Sequence, residues 1–381
     1  MKYSFTKDND WVLIITTFLL AAFGLVMIFS ASYALALREY GDFYYFLKRQ
    51  SMWLGIGTVA FLFLMHFPYR FYKKLMIPIL IVSFALLVLV IYFGVEGNGA
   101  QRWLIIGPFT LQPSEFVKLG IIVYLAAVYS KKQAYINKFI TGVMPPLVVV
   151  GLVFVLIMRQ PDLGTATSIL IVTALIVFFS GAKWRHLIAL GVVGVTLFVQ
   201  YATSEQYRLA RLTAFVNPFS DQSGTGYQLI QSYLAIANGG LTGTGLGQSI
   251  QKLAYLPEAH TDFILAIIAE ELGFFGVAFV FLCYAMILFR GVVIGTRCKS
   301  PFGSLLAFGI VFQLAVQVVF NIGAVTGLLP ITGIPLPLVS NGGSSLLVTL
   351  MSLAILANIS RNNIRQRRKE EQGEEEALHA S

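Results

Sequence analysis

The chain has 381 residues, of which 57% are hydrophobic and only 12% are Asp, Glu, Lys or Arg, with a mean hydropathy of +0.77. Soluble domains carry about 25% charged residues, so half that proportion together with long apolar runs excludes a soluble enzyme and means a polytopic membrane protein. The formal charge of +9 does not point to nucleic acid, because the basic residues sit in short loops between apolar runs and form no basic domain.

Apolar windows fall near 11–33, 50–67, 75–94, 114–130, 139–158, 164–181, 186–203, 262–290, 303–327 and 338–360. Each is long enough, or nearly so, to cross about 30 Å of hydrocarbon. The predicted fold is therefore all-α, a polytopic integral membrane protein of ten transmembrane helices. The first window is too long for a signal-peptide core and shows no small-residue cleavage site, so it reads as a retained span. Ten spans put both termini on one side. With the N-terminus inside, 18 of the 27 Lys and Arg lie on the inner side and 8 on the outer, with Lys118 within a span. The positive-inside rule then makes both termini cytoplasmic. Residues 1–360 read as one transmembrane domain, and 361–381, basic and then acidic, as a disordered cytoplasmic tail. Cys283, in an apolar run, and Cys298, in a short basic loop, give neither a disulfide framework nor zinc spacing.

On the predicted outer side, Arg102-Trp103 lies between the third and fourth windows. Gln112-Pro113-Ser114-Glu115 opens the fourth, with proline in the first turn, where a missing N–H does no harm. Glu115 and Lys118 stand at i, i+3 and can pair. Arg159-Gln160-Pro161-Asp162 joins the fifth and sixth windows. A large loop, about 204–261, separates the seventh and eighth. Within it Leu229, Ile230, Tyr233, Leu234 and Ala237 recur at helical spacing, which suits a helix over Tyr227–Asn238 on the membrane surface. Gly239–Gly247 (GGLTGTGLG) then breaks any helix. No strand precedes it and no βαβ unit surrounds it, so it reads as a flexible connector with close backbone packing and not as a nucleotide loop. The segment from Gly333 to Ser345, with Ser340, Asn341 and Ser344, is too rich in Pro and Gly to be helical throughout, and irregular backbone at membrane depth needs protein or a watery cavity over it.

The stretch from Leu256 to Gly273 organises the rest. Glu258, His260 and Asp262 run straight into an apolar helix pattern, and Glu270 and Glu271 follow about 12 Å further in. A carboxylate in lipid is costly and is a functional candidate by default. At about 100° per residue, Glu270 lies nearer to the face of Asp262 than Glu271 does. Glu270 is thus expected toward a cavity and Glu271 paired or protonated against a neighbouring helix. Taken singly, each polar motif also has a plain structural reading: a helix-end pair, a loop salt bridge, a turn, an N-cap cluster. Five on one face point to a cavity open to the outside. Carboxylates, one histidine and several cations suit an anionic lipid-linked substrate. Basic groups, with or without a divalent cation such as Mg or Mn, would hold a phosphate or pyrophosphate leaving group. One carboxylate would take the proton of an attacking hydroxyl.

The motifs NGAQRW (98–103), QPSEFVK (112–118), RQPDLGTA (159–166), GYQLIQS (226–232), LPEAHTDF (256–263) and GIPLPLVSNGGSS (333–345) occur in this order. In them the chain resembles the SEDS family (shape, elongation, division, sporulation) of peptidoglycan glycosyltransferases, which includes FtsW, RodA and SpoVE. Residues 45–50 and 251–253 look most like the FtsW branch. Asn341 departs from the pattern, standing where an aromatic is usual, and Leu338-Val339 replaces Phe-Ile. The resemblance implies ten spans and outward-facing, inverting polymerisation of lipid II, an undecaprenyl-pyrophosphate disaccharide-pentapeptide. It implies a catalytic aspartate at Asp262, with Arg102, Glu115, Lys118, Arg159, Asp162, Glu258, His260, Ser340, Asn341 and Ser344 as substrate-binding or cavity residues. It also implies a class B penicillin-binding protein as partner, other divisome membrane proteins, and a place in the bacterial cytoplasmic membrane at the division septum. Two rivals remain: a lipid II flippase using Glu270 and Glu271, and a non-catalytic scaffold, which leaves Asp262 without a task. The elongation and sporulation paralogues would share the polymerase chemistry.

Overall fold

The computed structural model describes residues 8–97, 100–107, 109–133, 136–186, 215–224, 226–253 and 255–380, with positions 188, 191, 192, 194, 196, 199 and 203 between them. Its long elements are helices, as hydrocarbon requires of a backbone that must satisfy its own hydrogen bonds. They are α1 (Trp11–Tyr40), α2 (Tyr45–His66), α3 (Arg70–Lys74), α4 (Met76–Phe93), α5 (Pro113–Lys132), α6 (Met144–Met158), α7 (Leu163–Phe179), α8 (Tyr227–Gly239), α9 (Ile264–Arg297), α10 (Pro301–Val325) and α11 (Gly343–Ala380). Seven are long and apolar enough to cross a membrane: α1, α4, α5, α6 with the π-helical turn before it (Phe139–Met158), α9, α10 and α11. The protein is a multi-pass membrane protein. α7 is apolar but shorter, and the window predicted over 186–203 falls largely outside the described residues.

Burial separates the centre of the bundle from its lipid face. In α5 and α11, 78% of the crossing window is buried, against 17% in α4. α11 packs along α2, and α10 is enclosed by α5, α7 and α9. At one end of the bundle Asp10 caps α1 through the amide of Leu13 (3.3 Å), pairs with Arg290 (2.6 Å) and accepts from Ser360 (3.3 Å). The start of α1, the later part of α9 and the middle of α11 therefore lie together.

One prediction needs correction. The connection between α4 and α5 is not a plain loop but a three-stranded antiparallel sheet of β1 (Val95–Gly97), β2 (Ala100–Ile106) and β3 (Phe109–Leu111), so the fold is not purely α-helical. Val95 faces Trp103 and Ile106 faces Phe109, the branched and aromatic pairs that stabilise short sheets. α11 runs on through residues 361–380. Arg365 and Arg368 hold Asp8 at 2.9 and 2.7 Å, and Arg367 meets Glu371 one turn on. These contacts give the polar run partners that composition alone does not reveal. Hydrogen bonding from Arg365, with help from Arg368, holds the Asp8 carboxyl below the usual carboxylate range.

α9 is broken at Gly273 (φ 62°, ψ −155°). The carbonyls of Glu270 and Glu271, which lose their helical donors there, accept from the amides of Thr244 (2.9 Å) and Gly245 (3.0 Å), while the Phe274 amide donates to Gly240 O (3.0 Å). The glycine run thus repairs a gap in a membrane helix. Gly243 (φ 79°) leaves no room for a Cβ, which would meet the Glu271 backbone. The expected close packing is present, and it fastens the run in place, so the run is not a free hinge.

Candidate active site

Several segments meet at the end of the bundle opposite Asp10 and Arg290. The segment 258–262 approaches α9 with Glu258 at φ 54°, a conformation that costs a non-glycine residue about 1–3 kcal/mol and persists only where neighbours over-determine it. Three neighbours do so. His260 O accepts from the Asn341 amide (2.9 Å), Thr261 O from Ser340 Oγ (2.5 Å), and Asp262 O from Asn321 Nδ2 (2.7 Å). Ser340 Oγ also accepts from the Leu336 amide at 2.9 Å. Gln50 on α2 completes the frame, donating to Ser340 O and accepting from the Gly342 amide, both at 3.3 Å.

Within this frame the Asp262 carboxylate has no hydrogen bond or ion pair among the described residues, and the side chain is only partly exposed. Burial, reinforced by Glu258 and Asp162 and opposed by Arg102, pushes its pKa up to about 7. A general base works best when its pKa lies near the operating pH. Glu258 accepts from Thr261 Oγ1 at 2.6 Å. The His260 ring lies against Phe46, centroids 4.6 Å apart. Burial holds that imidazole below its ordinary range, against the pull of Glu258 and Glu39.

A second group adjoins the first. Asp162 caps α7 through the Thr165 amide (3.1 Å), accepts from Gln112 Nε2 (3.4 Å) and lies 4.0 Å from Arg102. Arg102 also donates to Gln160 O (3.2 Å) and to Pro161 O. Ser344 Oγ accepts from the Gln112 amide (3.0 Å), and Thr110 on β3 accepts from Arg49 (2.6 Å). The hairpin, the α6–α7 corner and the segment before α11 are thereby joined. Ser340 and Ser344 are buried and committed to backbone, so they brace the site; Asn341 contributes its amide. Arg159 is exposed at the end of α6, with no ion pair among the described residues.

Glu115 and Lys118 form the predicted pair at 2.7 Å, each almost wholly buried. They line a separate cavity of about 20 Å³ with Gln313, Gln317, Thr349 and Ser352, and no residue of the 258–262 segment reaches it. Both polar atoms of Gln313 lack a protein partner, and the space suffices for about one water molecule.

Glu270 and Glu271 are both fully buried. Glu271 is fully buried and pairs with Lys252 (2.5 Å), accepts from Ser30 Oγ (2.6 Å) and so ties the loop to α1, as the expectation of a partner for it required. Glu270, expected toward a cavity, instead accepts from Ser249 Oγ and from the Ile250 amide (3.2 Å). The break at Gly273 admits the loop 239–253, which covers both carboxylates; a straight-helix projection does not anticipate this. Lys252, assigned to the outer loop by sequence, is buried with them.

Sequence reasoning missed Gln50, Lys252 and Asn321. A polar side chain inside an apolar run is the available signal for Gln50 and Asn321. Lys252 carries none, because only the folded loop takes it inside.

Comparison with known proteins identifies the family. The sequence profile of the FtsW/RodA/SpoVE family, described as "Cell cycle protein", matches residues 10–365. "Stage V sporulation protein E" of Bacillus subtilis (strain 168) is 44% identical over 92% of this chain and 97% of its own length. "Probable peptidoglycan glycosyltransferase FtsW" of the same organism is 44% identical over 93% of this chain and 91% of its own. Among solved structures, a chain from a study of the "structural coordination of polymerization and crosslinking by a peptidoglycan synthase complex" superposes with a TM-score of 0.77 at 31% identity, covering 93% of this chain and 98% of that one. The rod shape determining protein RodA of Thermus thermophilus gives a TM-score of 0.70 at 28% identity, over 93% and 97%. The chain belongs to the FtsW/RodA/SpoVE family of multi-pass membrane proteins.

Proposed function

We propose that this protein is an inverting peptidoglycan glycosyltransferase that polymerises lipid II on the outer face of the bacterial cytoplasmic membrane, for septal wall synthesis in division. It crosses the membrane ten times, with a large extracytoplasmic loop between the seventh and eighth spans and both termini in the cytoplasm. The observation that carries the reading is Asp262: a carboxylate with no partner among the described residues, its pKa pushed up to about 7, at the end of a segment held by three separate donors. The names of the relatives support the polymerase class, and the positive-inside count supports the orientation.

In this reading Asp262 takes the proton of the acceptor sugar's hydroxyl as its oxygen attacks the anomeric carbon of the donor. The bond to pyrophosphate breaks on the opposite side, and the electron pair leaves with the phosphate oxygen. One base suffices, because the leaving group is already an anion. Arg102, beside Asp162, and the exposed Arg159 supply positive charge for the pyrophosphate. If a divalent cation such as Mg or Mn takes part, Glu258 would be the carboxylate to hold it, leaving Asp262 free as the base; among the described residues no cage of three His, Cys, Asp or Glu is gathered. Such an ion would neutralise charge on the leaving group. A class B penicillin-binding protein is the proposed partner, cross-linking the emerging strand beside other divisome membrane proteins.

A flippase would need polar groups along a path to both faces, and the enclosure of Glu270 and Glu271 by Ser249, Ile250 and Lys252 favours the polymerase. The test is polymerisation of fluorescent lipid II by purified protein, with and without a candidate transpeptidase, for the parent and Asp262→Asn. Polymer from the parent and none from the variant is expected. Near-normal polymer from a folded Asp262→Asn protein removes the base assignment, and no polymer from the parent under either condition removes the polymerase reading.

A further inference from the structure

Asn321 lies one turn before the end of α10, is 1% exposed, and belongs to no motif used above. Its Nδ2 donates twice, to Asp262 O at 2.7 Å and to Ile334 O at 3.0 Å. Both amide hydrogens are therefore used, and they join the two irregular segments that frame the site, 258–262 and 331–342. The orientation of the amide follows from its partners, since the reverse flip would turn Oδ1 onto two carbonyl oxygens. Oδ1 is buried without a partner among the described residues.

The carbonyl in question is that of Asp262. α9 begins at Ile264, and the Ala266 amide already donates to Phe263 O, so no helical bond is recorded to Asp262 O and Asn321 is its donor. The preceding two carbonyls are held by Ser340 and Asn341, both on the segment before α11. Asn321 alone among the three donors reaches Asp262 from a membrane-spanning helix. A side chain whose carboxylate has no partner of its own takes its direction from its backbone, and here the last peptide before the helix is set by Asn321.

We propose that Asn321 is a positioning residue for Asp262, fixing the peptide that aims the carboxylate at the acceptor hydroxyl. This rests on the reading of Asp262 as the base. Its failure is distinguishable from the failure of that reading, because the two concern different variants. The experiment measures lipid II polymerisation by Asn321→Leu, which keeps the volume and removes both donors, and by Asn321→Ser, which keeps one. Thermal unfolding of the same preparations in detergent is the folding control. Misplacing a catalytic group by about 1 Å costs up to roughly 100-fold in rate. The expected result for Asn321→Leu is a fall in kcat of about 10- to 100-fold, with KM for lipid II within about twofold of the parent and a displaced pH–rate midpoint. Asn321→Ser should fall between the two. If Asp262→Asn is inactive while folded Asn321→Leu retains the parent's kcat and pH profile, positioning is overturned and the base stands. A change confined to KM, or failure of both variants to fold, overturns it in favour of a binding or purely structural role. Full activity of Asp262→Asn overturns the base reading itself.

Discussion

Asp262 and Glu271 stand nine residues apart, one just before α9 and one inside it. Asp262 is partly open, has no partner for its carboxylate among the described residues, and is held only through its backbone. Glu271 is fully buried and saturated, with Lys252 at 2.5 Å, Ser30 Oγ at 2.6 Å and the Ser249 amide at 3.4 Å. The contrast teaches that a carboxylate in a membrane protein takes its role from its partners more than from its depth. One whose oxygens are all occupied is a fastening. One that is aimed but unoccupied is available for chemistry.

The largest expected effect breaks the comparison at its active end. Asp262→Asn should lower glycan synthesis by about 10²- to 10⁴-fold, the usual cost of losing a general base. In the parent, polymerisation should fall as pH drops through about 7, where Asp262 takes up its proton. The stability effect has a definite sign. The folded pKa lies above the ordinary value of 3.8, so the group's contribution is fully present below that value and is lost as pH rises through about 7. At pH 8 the Asp262→Asn protein should therefore unfold at or above the parent's temperature, and a clear drop would mark the carboxylate as structural.

At the other end, Lys252→Met leaves Glu271 buried without its cation, and breaking such a pair costs about 3–5 kcal/mol. Unfolding in detergent should show that loss, and adding Glu271→Gln should recover much of it. The material that folds should retain parental turnover per molecule. If turnover collapses while stability holds, the knot belongs to the catalytic machinery and the comparison fails. Lys118→Met should behave as Lys252→Met does, since Lys118 and Glu115 are also a fully enclosed pair.

A smaller effect sharpens how the knot is built. Gly243→Ala places a Cβ against the Glu271 backbone at positive φ and should cost about 3 kcal/mol, whereas Gly245→Ala, with only Gln248 Cγ near (3.5 Å), should cost about 1. Equal losses would show that the glycines serve backbone freedom alone. The smallest effect lies at the opposite end of the bundle. Asp8→Asn should cost about 0.5 kcal/mol, because its arginines are partly exposed. With its pKa lowered, the parent's share of this stability is present at neutral pH and is lost as pH falls through the folded value. Thermal unfolding of parent and variant should still differ at pH 4 and converge only well below 3.8, where the folded carboxyl is protonated as well.

The sequence by itself determined most of the membrane architecture and the identity of the polar groups. Twenty-residue apolar runs have few alternatives in lipid, and the pairing of Glu115 with Lys118 follows from the helical repeat. The helix over 227–238 was equally legible, because periodicity is a local property; it appears as α8 (Tyr227–Gly239). Only the tertiary structure decided which carboxylate is free. The break at Gly273 lets a distant loop supply Thr244, Ser249 and Lys252 to α9, and no local pattern announces a contact between residues about twenty apart in an irregular segment. The same holds for Asn321, Ser340 and Gln50. Their partners are backbone carbonyls and amides, which every residue carries, so the sequence names the donors but leaves their acceptors open until the chain has packed.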